Sequence, residues 1–459
     1  MAKRRKKIVI EGKPGTEGMP EHLQHINVYA AGIDVGSDRH MVAVPEGRDA
    51  SPVREFGAFT EDLQEMGRWL VKCGVKTVAM ESTGVYWIPV FEMLEREGLE
   101  VKLVDARSVK NVSGRKSDVL DCQWIQQLHT YGLLAGAFRP GDEICVIRGY
   151  IRQREMLVHS RSTHIQHMQK ALQQMNLLLH NVVSDITGKT GMAILKAILS
   201  GERDAKKLAR NRDERCRNTE ETIAKSLVGN YREEHLFALR QAVSLYETYQ
   251  EKVLECEEAL MSYVVGSAKV TDEGPPPGQG NSGKKARERM RGGVDVREQL
   301  YKMAGVDLFN VPGIGADTLL TLVGEVGLDV SKWRTDKHFS SWLSLCPGTK
   351  ISGGKVLSKK SHRSANRASA AFRIAASTLS SSKTALGAFY RRIKARKGPA
   401  QAVTATAHKI AIIFYSMLKY GTEYVEAGQA AYEEKYQARR LKAIKNQALK
   451  LGYQLHPVE

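Results

Sequence analysis

The sequence predicts an α/β domain at its N-terminal end, a long helical spacer, and a mainly helical C-terminal region. Three observations predict this order. Short apolar runs alternate with helical text from Val28 to Val104, heptad spacing takes over from Ile151, and Gly/Pro-rich text at 274–283 precedes a second helical region.

In the first region, the apolar run Val28 to Val35 reads as a strand holding an acid near its end, and His40 to Pro45 as its hairpin partner. Phe56 to Phe59 reads as a third strand. Thr60-Glu61-Asp62-Leu63 marks a helix start, with a Thr cap, acids in the first turn, and Leu63, Met66, Leu70 and Val71 at helical spacing. Lys76 to Met80 is a fourth strand, followed by Glu81. Val85 to Arg96 is helical, Gly98 stops it, and Val101 to Val104 is a fifth strand. Three strands, then helix, strand, helix, strand, is the order of an RNase H-like α/β domain.

From Ile151 the pattern changes. Ile151, Val158, Ile165, Leu172 and Leu179 recur every seven residues, with Met168, Met175 and Val182 three after the later ones. That is an a/d seam. A second seam runs through Leu239, Val243, Tyr246, Val253 and Leu260. The two helices either fold back on each other or pair between protomers. The spacing predicts six segments: a basic tail (1–26), the α/β domain (27–148), a coiled-coil spacer (149–265), a Pro/Gly-rich basic linker (266–297), a mainly helical domain (298–426) and a basic tail (427–459).

The chain has 459 residues, and 69 Lys and Arg against 51 Asp and Glu give a net charge of +18. Such a surplus favours polyanions, because basic groups that neutralise phosphates release counterions. Hydrophobic residues are 42% of the chain, enough to build cores and to exclude a wholly disordered protein. No apolar run approaches the roughly 18 residues of a membrane span. The apolar stretch Ile8-Val9-Ile10 is too short for a secretory signal. Six dispersed cysteines form no Cys-x-x-Cys pair, which predicts a reducing, cytoplasmic setting without a disulfide framework.

The chemistry is expected at four acids. Asp34, in Ala31-Gly32-Ile33-Asp34-Val35-Gly36, ends one buried strand, and Glu81 ends another. Asp118 and Asp121, three apart, share one face of a helix. Carboxylates converging in this way stay ionised only with cations between them, and hard oxygen donors select Mg²⁺ or Mn²⁺. Two such ions would stabilise the attacking and leaving oxygens of a phosphodiester. Taken singly, each acid is as readily a turn former or helix cap. Arg115 and Lys116, beside them, are candidate phosphate contacts or a solvated pair.

Two blocks follow in the C-terminal region. Asn310-Val311-Pro312-Gly313-Ile314-Gly315 reads as the turn of a helix-hairpin-helix, with Gly313 and Gly315 letting backbone approach a phosphate. It reads equally as a tight turn before a core helix. Ser352-Gly353-Gly354-Lys355 opens a cationic stretch with Lys355, Lys359, Lys360, Arg363, Arg367 and His362 and no acid through Arg367. Ser352 is a candidate nucleophile for phosphoryl chemistry, or a serine that hydrogen-bonds phosphate. Arg391 to Lys397 adds a further basic patch.

Gly32-Ile33-Asp34-Val35-Gly36, Met80-Glu81-Ser82-Thr83-Gly84-Val85-Tyr86-Trp87 and Lys116-Ser117-Asp118-Val119-Leu120-Asp121 resemble the first block of the DEDD-motif insertion-sequence transposases, the IS-one-ten family and its Piv-type DNA invertase relatives. Pro312-Gly313-Ile314-Gly315 and Ser352-Gly353-Gly354-Lys355 resemble the second block. The resemblance covers about residues 28–140 and 300–425, with Ile351 standing where relatives often carry a small polar residue. It implies a RuvC-like domain whose Asp34, Glu81, Asp118 and Asp121 bind Mg²⁺, with Ser352 attacking DNA and becoming transiently linked to it. It also implies double-stranded donor and target DNA, a structured guide RNA that pairs with both, dimers that assemble into tetramers, and a nucleoid location. A RuvC-like metal-dependent nuclease that uses water is the alternative reading, and a nucleic-acid scaffold without catalysis is a third.

Overall fold

The structure, a computed structural model, describes residues 26–82, 84–104, 118–134, 136–267, 269–275, 296–353, 355–358 and 366–454. Arg115, Lys116, Gly354, Lys359, Lys360, Arg363, most of the basic tail and most of the 266–297 linker lie outside the described residues. The chain divides into two compact units between Arg139 and Pro140. Among the described residues, no helix is long and apolar enough to cross a membrane.

The first unit is built on five strands: β1 (Ala30–Val35), β2 (Arg39–Ala43), β3 (Val53–Gly57), β4 (Thr77–Glu81) and β5 (Glu100–Val104). Their spatial order is β3-β2-β1-β4-β5. β1 and β2 pair antiparallel, as do β2 and β3, whereas β4 runs parallel to both β1 and β5. β1 is central and covered on both faces, which is why its sequence reads as an unbroken apolar run. Ile33, Val35, Val42 and Met80 pack on one face against helices α1 (Thr60–Lys72) and α2 (Trp87–Arg96). Helix α3 (Asp118–Thr130) covers the other face through Ile125, beside Ala79 and Val104. This mixed sheet in a mostly helical chain is compatible with an RNase H-like fold.

Two boundaries differ from expectation. The third strand is Val53–Gly57, since Phe56 packs inward while Phe59 is 82% exposed. The N–H of Phe59, not a Thr60 hydroxyl, closes the start of α1, by donating to the Asp62 carboxylate at 3.2 Å. The end of α3 is tied to β4 by a buried hydrogen bond of 2.9 Å between Thr77 Oγ1 and His129 Nε2. Burial, then the charge of Lys102, pushes the His129 imidazole down to about 4.

In the second unit, α4 (Asp142–Gln174) and α9 (Glu233–Gly266) form an antiparallel pair. The direction follows from the cross-pairs. The Tyr150 and Tyr263 rings lie 6.4 Å apart, Arg154 Nε meets Glu257 Oε1 at 2.7 Å, and Arg161 donates to Gln250 at 2.6 Å. Within this chain the two helices fold back on each other. The first seam also ends earlier than its spacing suggested. Asn176 takes a φ of 56°, the chain turns, and Leu179 and Val182 belong to the short helix α5 (Leu179–Val182). With α6 (Lys189–Leu199), α7 (Ala205–Ala209) and α8 (Glu220–Ser226), it builds a small helical head on its own core.

The remainder comprises α10 (Val296–Ala304), α11 (Ala316–Val326), α12 (Asp336–Trp342), the hairpin β6 (Lys350–Ser352) and β7 (Lys355–Ser358), α13 (Arg367–Ser377), α14 (Ala385–Lys397), α15 (Pro399–Tyr420) and α16 (Gly428–Lys450). Phe339, Phe372, Phe414 and Tyr415 form its aromatic centre. Arg148 donates to the carbonyls of Gly324 (2.7 Å) and Glu325 (3.1 Å), so α4 neutralises the negative end of α11. The basic patch at 391–397 is partly structural. Arg392 lies over the rings of Tyr432 and Tyr436, at 5.2 and 4.1 Å, and Arg391 donates to Ser382 O at 2.6 Å and Gln429 Oε1 at 2.7 Å.

Because the folded chain holds His129 neutral to about pH 4 while an unfolded chain protonates it near 6.5, stability is undiminished above pH 6.5 and falls as pH drops toward 4. The expected loss is on the order of 2–3 kcal/mol. Thermal unfolding of a His129→Gln protein, which keeps a partner for Thr77, will show a flatter profile across that window. An unchanged slope would contradict the assignment.

Candidate active site

The four acids are placed by the sheet and one helix. Ile33 of β1 pairs with Met80 of β4, so Asp34 and Glu81 occupy the next step of the same parallel register. Adjacent strands are about 4.8 Å apart, and both acids lie at the carboxyl ends of their strands, where open α/β sheets bind ligands. Side chains alternate along a strand, so Asp34 and Glu81 point to the face that carries Gly32 and Ala79. Both carboxylates are half-buried.

That face is the one α3 covers. A Cβ built on Gly32 would lie 2.4 Å from Cys122 O and 2.3 Å from Gln126 N, so the helix backbone rests directly on the strand. Asp121 precedes Cys122 on this helix, whose backbone rests on Gly32. Burial pushes the Cys122 thiol up to about 12, and the charges of Asp34 and Asp121 add to the shift. Asp118 opens α3 one turn earlier; its side chain is outside the described residues. Just past Glu81, the N–H and hydroxyl of Ser82 both donate to Val104 O at 3.1 Å, which anchors the end of β4 to β5. Among the described residues, no group of three or more His, Cys, Asp or Glu side chains is placed to hold a metal ion.

Ser352 lies in the second unit. It pairs with Lys355 across the β6–β7 hairpin, and the two-residue turn between them starts at Gly353, whose φ is 55°. A positive φ at the first turn position is one that glycine adopts without a Cβ penalty, which explains Gly353. Ser352 and Lys355 are both exposed at this tip. Arg367, in the first turn of α13, is held by the Glu155 carboxylate. A cavity of about 340 Å³ opens there, lined by Arg154, Glu155, Asp317, Thr321, Arg367 and Ile374.

Gly313 sits in the turn before α11. Its φ is 94°, it is buried, and a Cβ there would lie 2.5 Å from Ala375 O. Its missing side chain admits the α13 backbone. Gly315 is half-buried and caps α11 in an extended conformation. Sequence reasoning missed Glu155 and Arg154; the latter joins buried Glu257 to Asp317. Their signal was a charged pair inside a heptad stretch, which by itself reads as a solvated face.

Two transposase family models match the chain in sequence order. One, for the DEDD-type transposases of IS110, matches residues 31–177. The other, described as transposase of the IS116/IS110/IS902 family, matches residues 307–391, and together they span about half of the chain. The chain belongs to the IS110 family of transposases. It is a DNA transposase, and the first match contains all four acids while the second contains Ser352. DEDD transposase domains typically depend on divalent metal. No curated protein matches the chain.

Gly32→Ala will force α3 off β1, since an added methyl meets helix backbone on two sides. The expected cost is about 1–3 kcal/mol in thermal or denaturant unfolding, with loss of any transposition the protein supports. Unaltered stability in that variant would show that α3 does not sit on Gly32.

Proposed function

We propose that this transposase is an RNA-guided, site-specific DNA recombinase whose acid tetrad and serine together cut and rejoin strands. The observation that carries the reading is the register that makes Asp34 and Glu81 neighbours under α3. Adjacent half-buried carboxylates at strand ends favour a hard divalent cation. Asp34, Glu81, Asp118 and Asp121 would hold Mg²⁺ or Mn²⁺, which supplies charge stabilisation at the phosphate. Paired strands β1 and β4 hold Asp34 and Glu81 in register before DNA arrives, so less reorganisation remains for the reaction.

The serine is suited to attack by its position. An exposed hydroxyl beside a glycine turn meets a phosphodiester without steric obstruction, and Lys355 opposite draws the phosphate. Ser352 Oγ forms a bond to phosphorus while the phosphorus–oxygen bond to one strand end breaks. The serine proton is balanced by the hydroxyl left on that end. A strand-end hydroxyl then attacks the phosphoserine, joins the strands and restores the serine. Gly315, Gly353, Gly354, Lys355, Lys359, Lys360, Arg363, Arg367, Arg115 and Lys116 supply phosphate contacts. For Arg367 this requires release from Glu155. The +18 charge supports binding of donor DNA, target DNA and a structured guide RNA, and the transposases it resembles assemble as dimers and tetramers.

Ser352→Ala should abolish recombination and the protein–DNA adduct while leaving DNA affinity within about twofold. Hydrolytic cleavage persisting in that variant would instead support water as nucleophile. Asp34→Ala should remove the dependence of cleavage on added Mg²⁺ or Mn²⁺ by removing cleavage itself, with a loss of at least about a hundredfold. RNA that co-purifies and matches DNA flanking the gene is the expected result for guidance. Recombination by RNA-free protein would overturn it.

A further inference from the structure

The loop between Glu81 and α2 breaks two local rules. Tyr86 occupies the position that caps α2, where Ser, Thr, Asp or Asn would bond the first turn, yet its side chain makes no capping bond. Large apolar side chains are also exposed within four residues of one another: Val85 is 67% exposed, Tyr86 47% and Ile88 38%. The Tyr86 ring lies over Gly84, whose φ of 57° turns the chain and whose Cβ, if present, would lie 3.5 Å from the ring edge. Local choices that cost stability without visible return mark functional positions.

We propose that Val85, Tyr86 and Ile88 form a stacking platform for an unpaired nucleobase of the strand held at the acids. This rests on the function proposed above. The ring follows Glu81 by five residues, a span of at most about 17 Å of backbone, which corresponds to a few nucleotides of strand. Every base has a π-face, so an exposed ring flanked by aliphatic groups receives any base without reading its identity. The first turn of α2 carries no acid, so a phosphate beside the stacked base meets no like charge there. A base held in this way fixes the strand against sliding while its neighbouring phosphate is cut. The platform therefore takes single-stranded or unpaired DNA in preference to closed duplex.

The full chain, with any RNA that co-purifies, is mixed with a forked DNA duplex carrying 5-iodouracil in its single-stranded arm. Irradiation should attach the iodouracil base to Tyr86, read by mass spectrometry of the peptide. Tyr86→Ala should weaken affinity for the fork by about 5–100-fold with little change for closed duplex, and Tyr86→Trp should restore it. Matching thermal midpoints establish that both variants fold. Adducts confined to other residues, equal fork affinity in the Tyr86→Ala protein, or identical behaviour of the Ala and Trp variants would overturn the platform. Asp34→Ala separates the two readings. If it still recombines DNA, the catalytic assignment fails whatever Tyr86 does; if it binds the fork without cutting while Tyr86→Ala binds normally, only the platform fails.

Discussion

The seat of α3 on β1 is the constraint on which the site depends. A helix cannot come close to a central strand unless a side chain is missing, and at Gly32 it is. Two residues later the same strand presents Asp34, and the same face of β4 presents Glu81. Close packing therefore sets where α3 lies: its backbone is seated on the strand that, with β4, aligns two of the acids. Burial of Cys122 beneath this contact raises its thiol pKa, and the charges of Asp34 and Asp121 add to the shift.

Around this centre the chain separates tasks by architecture. Parallel pairing delivers the acids at strand ends and hides the strands in two apolar layers. The second unit presents its serine on a hairpin with both faces open, where Ile351 and Leu357 are also exposed. Under the proposed function, a rigid platform for ions and an exposed tip for a nucleophile meet different demands. Carboxylates require fixed geometry, whereas a hydroxyl that becomes linked to DNA requires access.

Polar groups in the second unit are used more for assembly than their exposure in the sequence suggests. Arg148 and Arg152 hold the end of α11, with Arg152 bidentate on Glu325 at 2.9 Å for both bonds. Arg154 joins α9 to α11, and Arg392 is clasped by the tyrosines of α16. A count of positive charge alone assigns all of these to nucleic acid. Where a guanidinium already has a carboxylate, a carbonyl or a ring, its charge is committed to packing, and the polyanion surface rests on the remaining lysines and arginines.

By itself the sequence determined the strand and helix order of the first unit, the acids at the ends of β1 and β4, and the glycine turn after Ser352. Each of these is a local consequence of side-chain period, burial and turn geometry, legible within about ten residues. The third strand slipped because Phe56 and Phe59 have the same chemistry and only packing distinguishes the buried ring from the exposed one. The fold-back of α4 on α9, the packing of Gly313 against Ala375 and the capture of Arg367 by Glu155 were decided by tertiary structure alone. In each, the deciding partner lies about 60 to 210 residues away, and nothing in a local pattern names it.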